Sequence, residues 1–207
     1  LVNNWEATYF NFDGEKLYNI ARSASELGIE MLVLDDGWFG ARNHEKCGLG
    51  DWYVNEEKLG GTMGELVERI NGLGMKFGLW FEPEMVSPDS DLYRAHPDWC
   101  LHIDGRPMSL GRYQCILDMS RRDVQDYVFE SLCKVLDSAN IEYVKWDYNR
   151  NFTEAGSALL PPERQKEVPH RYMLGLYSLL ERFHERYPHI LLEGCADPYG
   201  HKTVRSS

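Results

Sequence analysis

Tyr143-Val144-Lys145-Trp146-Asp147-Tyr148-Asn149-Arg150 decides how this 207-residue chain is read. Tyr143–Trp146 is a short apolar run that reads as a strand, and it leads without a break into a carboxylate, an amide and a guanidinium. Side chains alternate along an extended backbone, so Lys145, Asp147 and Asn149 share one side, with Trp146 and Tyr148 on the other. A lysine two residues from an aspartate favours the charged carboxylate. An ionised, oriented carboxylate in a cup is what a glycosidase nucleophile has to be. A structural Lys–Asp pair plugging the sheet is the alternative these residues leave open.

The same design recurs outward in both directions. Trp5–Phe10 reads as a strand, followed by a helix over Glu15–Leu27 that stops at Gly28. Met31–Leu34 is a second strand, and a helix over Gly64–Asn71 precedes a third, Phe77–Phe81. A long excursion from Glu82 to Ser120, punctuated by Pro83, Pro88, Pro97 and Pro107, separates it from a helix over Asp123–Ser138. After the Tyr143 strand come a helix over Arg171–Tyr187 and a fifth strand at Ile190–Leu192. Apolar strands alternating with amphipathic helices imply a parallel sheet covered by helices. Four of the strands end in chemistry: Asp35-Asp36, Trp80 with Glu82 and Glu84, Lys145 with Asp147 and Asn149, and Glu193 with Cys195. Reactive groups at the C-terminal ends of several strands point to an α/β fold of the (β/α)8 TIM-barrel type rather than a doubly wound sheet. Gly48-Leu49-Gly50 fails as a nucleotide-binding turn, because the third glycine position holds Tyr53. Five strands are legible where a barrel needs eight, so the expected architecture is a truncated barrel over 1–195, with a polar tail at 196–207.

Composition narrows the partners. A net charge of −11 without a basic patch argues against nucleic acid and anionic membranes. No apolar stretch reaches membrane-span length. Five cysteines, at 47, 100, 115, 133 and 195, with no close spacing suggest a reducing, cytoplasmic setting rather than a disulfide framework. Aromatic residues make up 13% of the chain and supply the flat faces on which sugar rings stack. The adjacent carboxylates Asp35 and Asp36 suit either a divalent metal or the gripping of sugar hydroxyls.

Taken in order, Leu34–Gly40, Gly50–Asn55, Phe77–Met85, Leu117–Ser120 and Tyr143–Arg150 closely resemble the catalytic barrel of microbial α-galactosidases of glycoside hydrolase family 36. The resemblance runs from about Trp5 to Cys195. It implies a retaining hydrolase that removes terminal α-linked galactose from melibiose- or raffinose-type oligosaccharides, without a cofactor or metal, in a homo-oligomeric parent. Carried over residue by residue, it makes Asp147 the nucleophile. It assigns Asp35 and Asp36 to the C4 and C6 hydroxyls, lines the galactose subsite with Trp80, Arg112, Lys145 and Asn149, sets Trp5 near the C6 end, and closes the floor with Cys195. Two departures stand out. Ala196-Asp197-Pro198 replaces the glycine-rich run that follows the family's cysteine, and the family's acid/base Asp lies on a later strand. The chain by itself is therefore expected to be inactive. A related α-N-acetylgalactosaminidase, a galactosyl-transferring enzyme and a non-catalytic galactose-binding remnant remain open at this point. So does a metal-dependent barrel using Asp35, Asp36, Glu82 and Asp147.

Overall fold

The computed structural model describes residues 1–196. In chain order its elements are β1 (Val2–Asn3), α1 (Trp5–Thr8), α2 (Gly14–Glu26), β2 (Met31–Leu34), α3 (Glu56–Leu59), α4 (Met63–Asn71), β3 (Lys76–Phe81), β4 (Met85–Val86), α5 (Asp91–Ala95), β5 (Cys115–Ile116), α6 (Arg122–Leu136), β6 (Tyr143–Tyr148), α7 (Val168–Arg186) and β7 (Leu191–Ala196). The expected tail, 196–207, falls outside the described residues from 197 onward.

The fold is α/β, built on a parallel sheet in the order β1-β2-β3-β6-β7. Register follows burial. Trp80 pairs with Lys145 and Phe81 with Trp146, while Lys145 pairs with Glu193 and Asp147 with Cys195. The parallel ladder therefore brings the polar strand ends to one edge of the sheet. The covering helices present apolar stripes at helical spacing: Leu17, Ala21 and Ala24 on α2, Val124, Val128, Leu132 and Val135 on α6, and Tyr172, Leu176, Leu179 and Phe183 on α7. Their starts are chemically marked. The Asp13 side chain accepts from the Lys16 N–H at the head of α2, and Thr62 and Glu65 close a capping box on α4.

One expected strand is corrected. Trp5–Phe10 is not extended: Trp5–Thr8 is a short helix, and the strand beside β2 is Val2–Asn3. Two adjacent asparagines turn the chain. Asn3 Oδ1 accepts the Trp5 N–H at 2.8 Å, and the Asn4 carbonyl accepts from Ala7 and Thr8 at 3.0 Å each. Asn side chains offer the backbone this alternative to a ladder. The 82–120 excursion also has structure of its own, an antiparallel β4–β5 pair that apolar patterning does not announce at two residues per strand.

Helix α7 passes so close to the loop before α6 that a Cβ on Gly175 would overlap the Met119 carbonyl oxygen. That oxygen already accepts from Gln125 Nε2 at 2.8 Å, so it has little room to shift. Gly175→Ala is expected to cost about 3 kcal/mol or more through overpacking. Gly28→Ala, which strains only a positive φ of 78° in open space, should cost about 1 kcal/mol. Chemical denaturation of both variants checks this. The reverse order would mean that α7 does not sit where it is described.

Candidate active site

Asp147, near the end of β6, is buried, and its carboxylate is held by uncharged donors. Oδ2 accepts from Trp80 Nε1 at 3.0 Å and Asn149 Nδ2 at 2.5 Å, and Oδ1 accepts from the Tyr148 N–H at 3.0 Å. Strand alternation does put Lys145 on the same side, but its ammonium goes elsewhere, to Asp35 Oδ2 at 3.0 Å. The direct Lys145–Asp147 pairing expected from their spacing is thus replaced by a pairing across strands. Asp35 and Lys145 stand level on either side of β3, since Leu34 pairs with Leu79 and Trp80 with Lys145, and the long lysine side chain reaches across β3 to the carboxylate. Burial pulls the Lys145 ammonium down, but the Asp35 charge and hydrogen bond, with Asp147 behind them, hold it above the usual lysine range.

Asp35 and Asp36 follow β2 and face different partners. Asp35 Oδ2 also accepts from Asn3 Nδ2 at 2.6 Å, and the Asp35 N–H donates to Asn4 Oδ1 at 2.8 Å. Asp36 takes a two-pronged bond from Arg42, Nε to Oδ1 at 3.0 Å and a terminal nitrogen to Oδ2 at 2.8 Å, in a pair that is almost fully buried. Burial pushes the Asp36 carboxyl up, Arg42 pulls it back, and the nearby Asp35 and Asp147 charges push it up further. Across the ladder from Asp147 lies Cys195, whose thiol is raised to about 11 by burial and then by the Asp147 charge.

A cleft beside these groups is lined by Trp5, Phe10, Asp36, Arg42, Glu45, Glu82, Arg112, Gln114 and Asn149. Trp5 is half-buried and braced edge-on by Tyr9 and Phe10, at ring separations of 5.2 and 5.1 Å. Trp80 is not an open wall of this cleft. Its ring is 2% exposed within a cluster with Phe39 and Trp52, and what it offers is the N–H to Asp147. Its carbonyl is fixed in turn by Trp38 Nε1 at 2.9 Å. Arg112 reaches the cleft from a tight turn in which it and Tyr113 both have positive φ, 53° and 59°, between the bridged Gly111 and Gln114. Non-glycine residues in that region are strained. The turn is held by Arg150, which donates to the Gln114 and Ser109 carbonyls, the latter at 3.1 Å, and by Lys46 over the Tyr113 ring at 4.7 Å.

All nine residues that the resemblance assigns to the site thus gather at one end of the sheet. Arg42, Asn3, Gln114 and Arg150 belong to the site as well; Arg42, Gln114 and Arg150 lie in loops, and Asn3 ends the two-residue β1, too short to set a period. The signal that could have found them is unpaired chemistry, since two adjacent buried carboxylates demand a second cation, and Arg42 is the nearest one along the chain. Among the described residues, no group of three or more His, Cys, Asp or Glu side chains converges as a metal-holding set.

A family model described as Melibiase matches residues 1–203. The α-galactosidase AgaA of Geobacillus stearothermophilus is 60% identical over 196 residues, covering 95% of this chain and 27% of that protein. The bifunctional α-galactosidase/sucrose kinase AgaSK of Mediterraneibacter gnavus is 50% identical, over 95% of this chain and 20% of its own length. A crystal structure of an AgaA variant in complex with raffinose superposes with a TM-score of 0.93 at 59% identity, covering 96% of this chain and 28% of that one. The chain therefore spans about a quarter of the length of such relatives.

Removing Arg42 should strand a buried charge. Arg42→Leu is expected to lose about 3–5 kcal/mol of stability, while Arg42→Leu with Asp36→Leu loses less, because the second change removes the orphaned carboxylate. Denaturation of both variants decides it. A double variant at least as unstable as the single one would mean that the pair is not what holds this loop.

Proposed function

The chain belongs to the Melibiase family, and on that premise we propose that it carries the nucleophile-bearing part of a retaining α-galactosidase barrel, in which Asp147 forms a covalent galactosyl intermediate. The observation that carries this reading is the Asp147 carboxylate, gripped by Trp80, Asn149 and the Tyr148 N–H at the C-terminal end of a parallel sheet. In a (β/α)8 barrel that end is where chemistry is done, and the five parallel strands are read as five of its eight. Raffinose bound to a variant of a 59%-identical relative supports an α-galactoside substrate.

In the first step the bond from C1 to the leaving oxygen breaks as Asp147 bonds C1, and a second carboxylic acid protonates that oxygen. In the second step water, deprotonated by the same group, attacks C1 and releases Asp147. Two carboxyl groups in such an enzyme lie about 5–5.5 Å apart. The family resemblance assigns the proton-transferring one to a later strand, so the 207-residue chain alone is proposed to be inactive. Uncharged donors suit Asp147 in particular: they orient the carboxylate while leaving its charge for the developing oxocarbenium ion. Asp35, tied to Lys145, and Asp36, tied to Arg42, retain lone pairs for sugar hydroxyls, since each carboxylate accepts about four bonds.

The test uses a full-length relative in which residues 1–196 replace the aligned segment. There Asp147→Ala should abolish release of nitrophenol from a nitrophenyl α-galactoside, and azide should restore part of it by filling the vacated space. Near-normal turnover in that variant would remove Asp147 from the chemistry. Asp35→Asn or Asp36→Asn should lower kcat/KM by about 2–4 kcal/mol in transition-state stabilisation. Turnover abolished by EDTA and restored by Mg²⁺ would favour a metal-dependent site instead.

A further inference from the structure

Glu82 follows the last residue of β3, is 1% exposed and borders the cleft together with Asp36 and Asn149. Its two oxygens are treated unequally. Oε1 accepts from Gln114 Nε2 at 2.7 Å and from the Asn149 N–H at 2.7 Å. Oε2 has no hydrogen-bond partner among the described residues, although it is not sealed off. One oxygen loaded with donors and the other open to the cleft is the pattern of a carboxylic acid, whose carbonyl oxygen accepts and whose hydroxyl is left to donate. An ionised carboxylate so deeply buried would need a cation or donors on both oxygens.

The charges facing Glu82 act in the same direction. Asp147 on β6 and Asp36 after β2 both disfavour a further negative charge, and Tyr148 on β6 feels the Glu82 charge in return. The arginines bordering the cleft are Arg42, already spanning both Asp36 oxygens, and Arg112 at the exposed rim. Burial is the largest influence and pushes the Glu82 carboxyl up to about 8. Asp147 adds to it, and the hydrogen bonds from Gln114 and Asn149 only partly offset the rise.

We propose that Glu82 works as an uncharged carboxylic acid: through Oε1 it positions Asn149 and Gln114 around Asp147, and from Oε2 it donates to a hydroxyl oxygen of the sugar in the cleft. The proposal deepens the α-galactosidase reading and rests on it. Asn149 is the residue whose amide grips Asp147, and Gln114 belongs to the strained turn that carries Arg112. Glu82 thus ties two loops to the nucleophile without adding a charge of its own. Sugar in the cleft excludes water from this carboxyl and uses its proton, so binding selects the neutral form. Above the carboxyl's own titration, galactose affinity falls about tenfold per pH unit, and binding there takes up a proton.

Glu82→Gln is the discriminating variant, because the amide keeps the accepting oxygen, a donor and neutrality. In the same full-length chimera, galactose binding is measured by titration calorimetry from about pH 6 to about pH 10, in buffers of different ionisation heat. The parent is expected to take up close to ~1 proton per galactose on the alkaline side. Glu82→Gln is expected to take up none, and to bind at neutral pH within about threefold of the parent. The infrared spectrum supplies a readout independent of the sugar: a protonated-carboxyl carbonyl band at neutral pH that disappears in Glu82→Gln. Equal proton uptake in both proteins, loss of more than about tenfold in affinity at neutral pH in Glu82→Gln, or absence of that band would overturn the proposal. If neither protein binds galactose, the α-galactosidase reading and the donor role fall together. The band still reports whether the acid is neutral, so the two failures are told apart.

Discussion

Four carboxyl groups, those of Asp35, Asp36, Glu82 and Asp147, converge on one end of a sheet where water is largely excluded, and like charges in such a place repel strongly. Each is accommodated by a different device. Asp35 is met by Lys145, reaching across β3 from β6, and by Asn3, and Asp36 by the two-pronged Arg42. Asp147 is gripped by uncharged donors, and Glu82, as proposed, keeps its proton. On the proposed glycosidase reading the division is chemically sensible. Groups that hold a sugar tolerate counter-ions, whereas a carboxylate that must stabilise a cationic carbon is best left uncompensated.

Much of the remaining architecture serves that arrangement. The excursion after β3 is long because it returns to the strand ends as a strap. Its turn carries Arg112 and Gln114, and Arg150 clamps it from the far side of Asp147. Beneath it, Trp38 fixes the Trp80 backbone, so the indole N–H aimed at Asp147 is set by a packed aromatic cluster rather than by a mobile loop. Sites built on rigid strand ends with packed support hold their geometry more closely than sites on free loops. Behind the sheet, Glu84 accepts Trp146 Nε1 at 3.1 Å and the Tyr172 hydroxyl at 2.5 Å, which ties β6 to α7. The carboxylate on the opposite face of the same strand is thus anchored from outside.

Legibility from sequence followed the range of the forces involved. Strands β2, β3 and β6 and helices α2, α4, α6 and α7 were readable because burial of one face imposes a period on the chain, and caps such as Asp13 and Thr62 mark its interruptions. Trp5–Phe10 reads as a strand because aromatic residues suit one, while two asparagines upstream offer the backbone a competing set of hydrogen bonds that makes Trp5–Thr8 a helix. The pair β4–β5 leaves no mark in the sequence, because two residues cannot establish a period. Among the site residues, those at strand ends were visible, and those supplied by loops, Arg42, Gln114 and Arg150, were not.

What the sequence determined by itself was which carboxylates stand at the ends of strands, and therefore that chemistry gathers at one edge of a parallel sheet. It also carried, through five ordered segments, the likeness to α-galactosidases. Tertiary structure decided who neutralises whom. Lys145 stands two residues from Asp147 in sequence but bonds Asp35, because the parallel register sets Asp35 and Lys145 level on either side of β3, within reach of a lysine side chain. Periodicity is a property of one segment. Electrostatic pairing in a dry cleft is a property of distances between segments, and those exist only once the strands have taken their order.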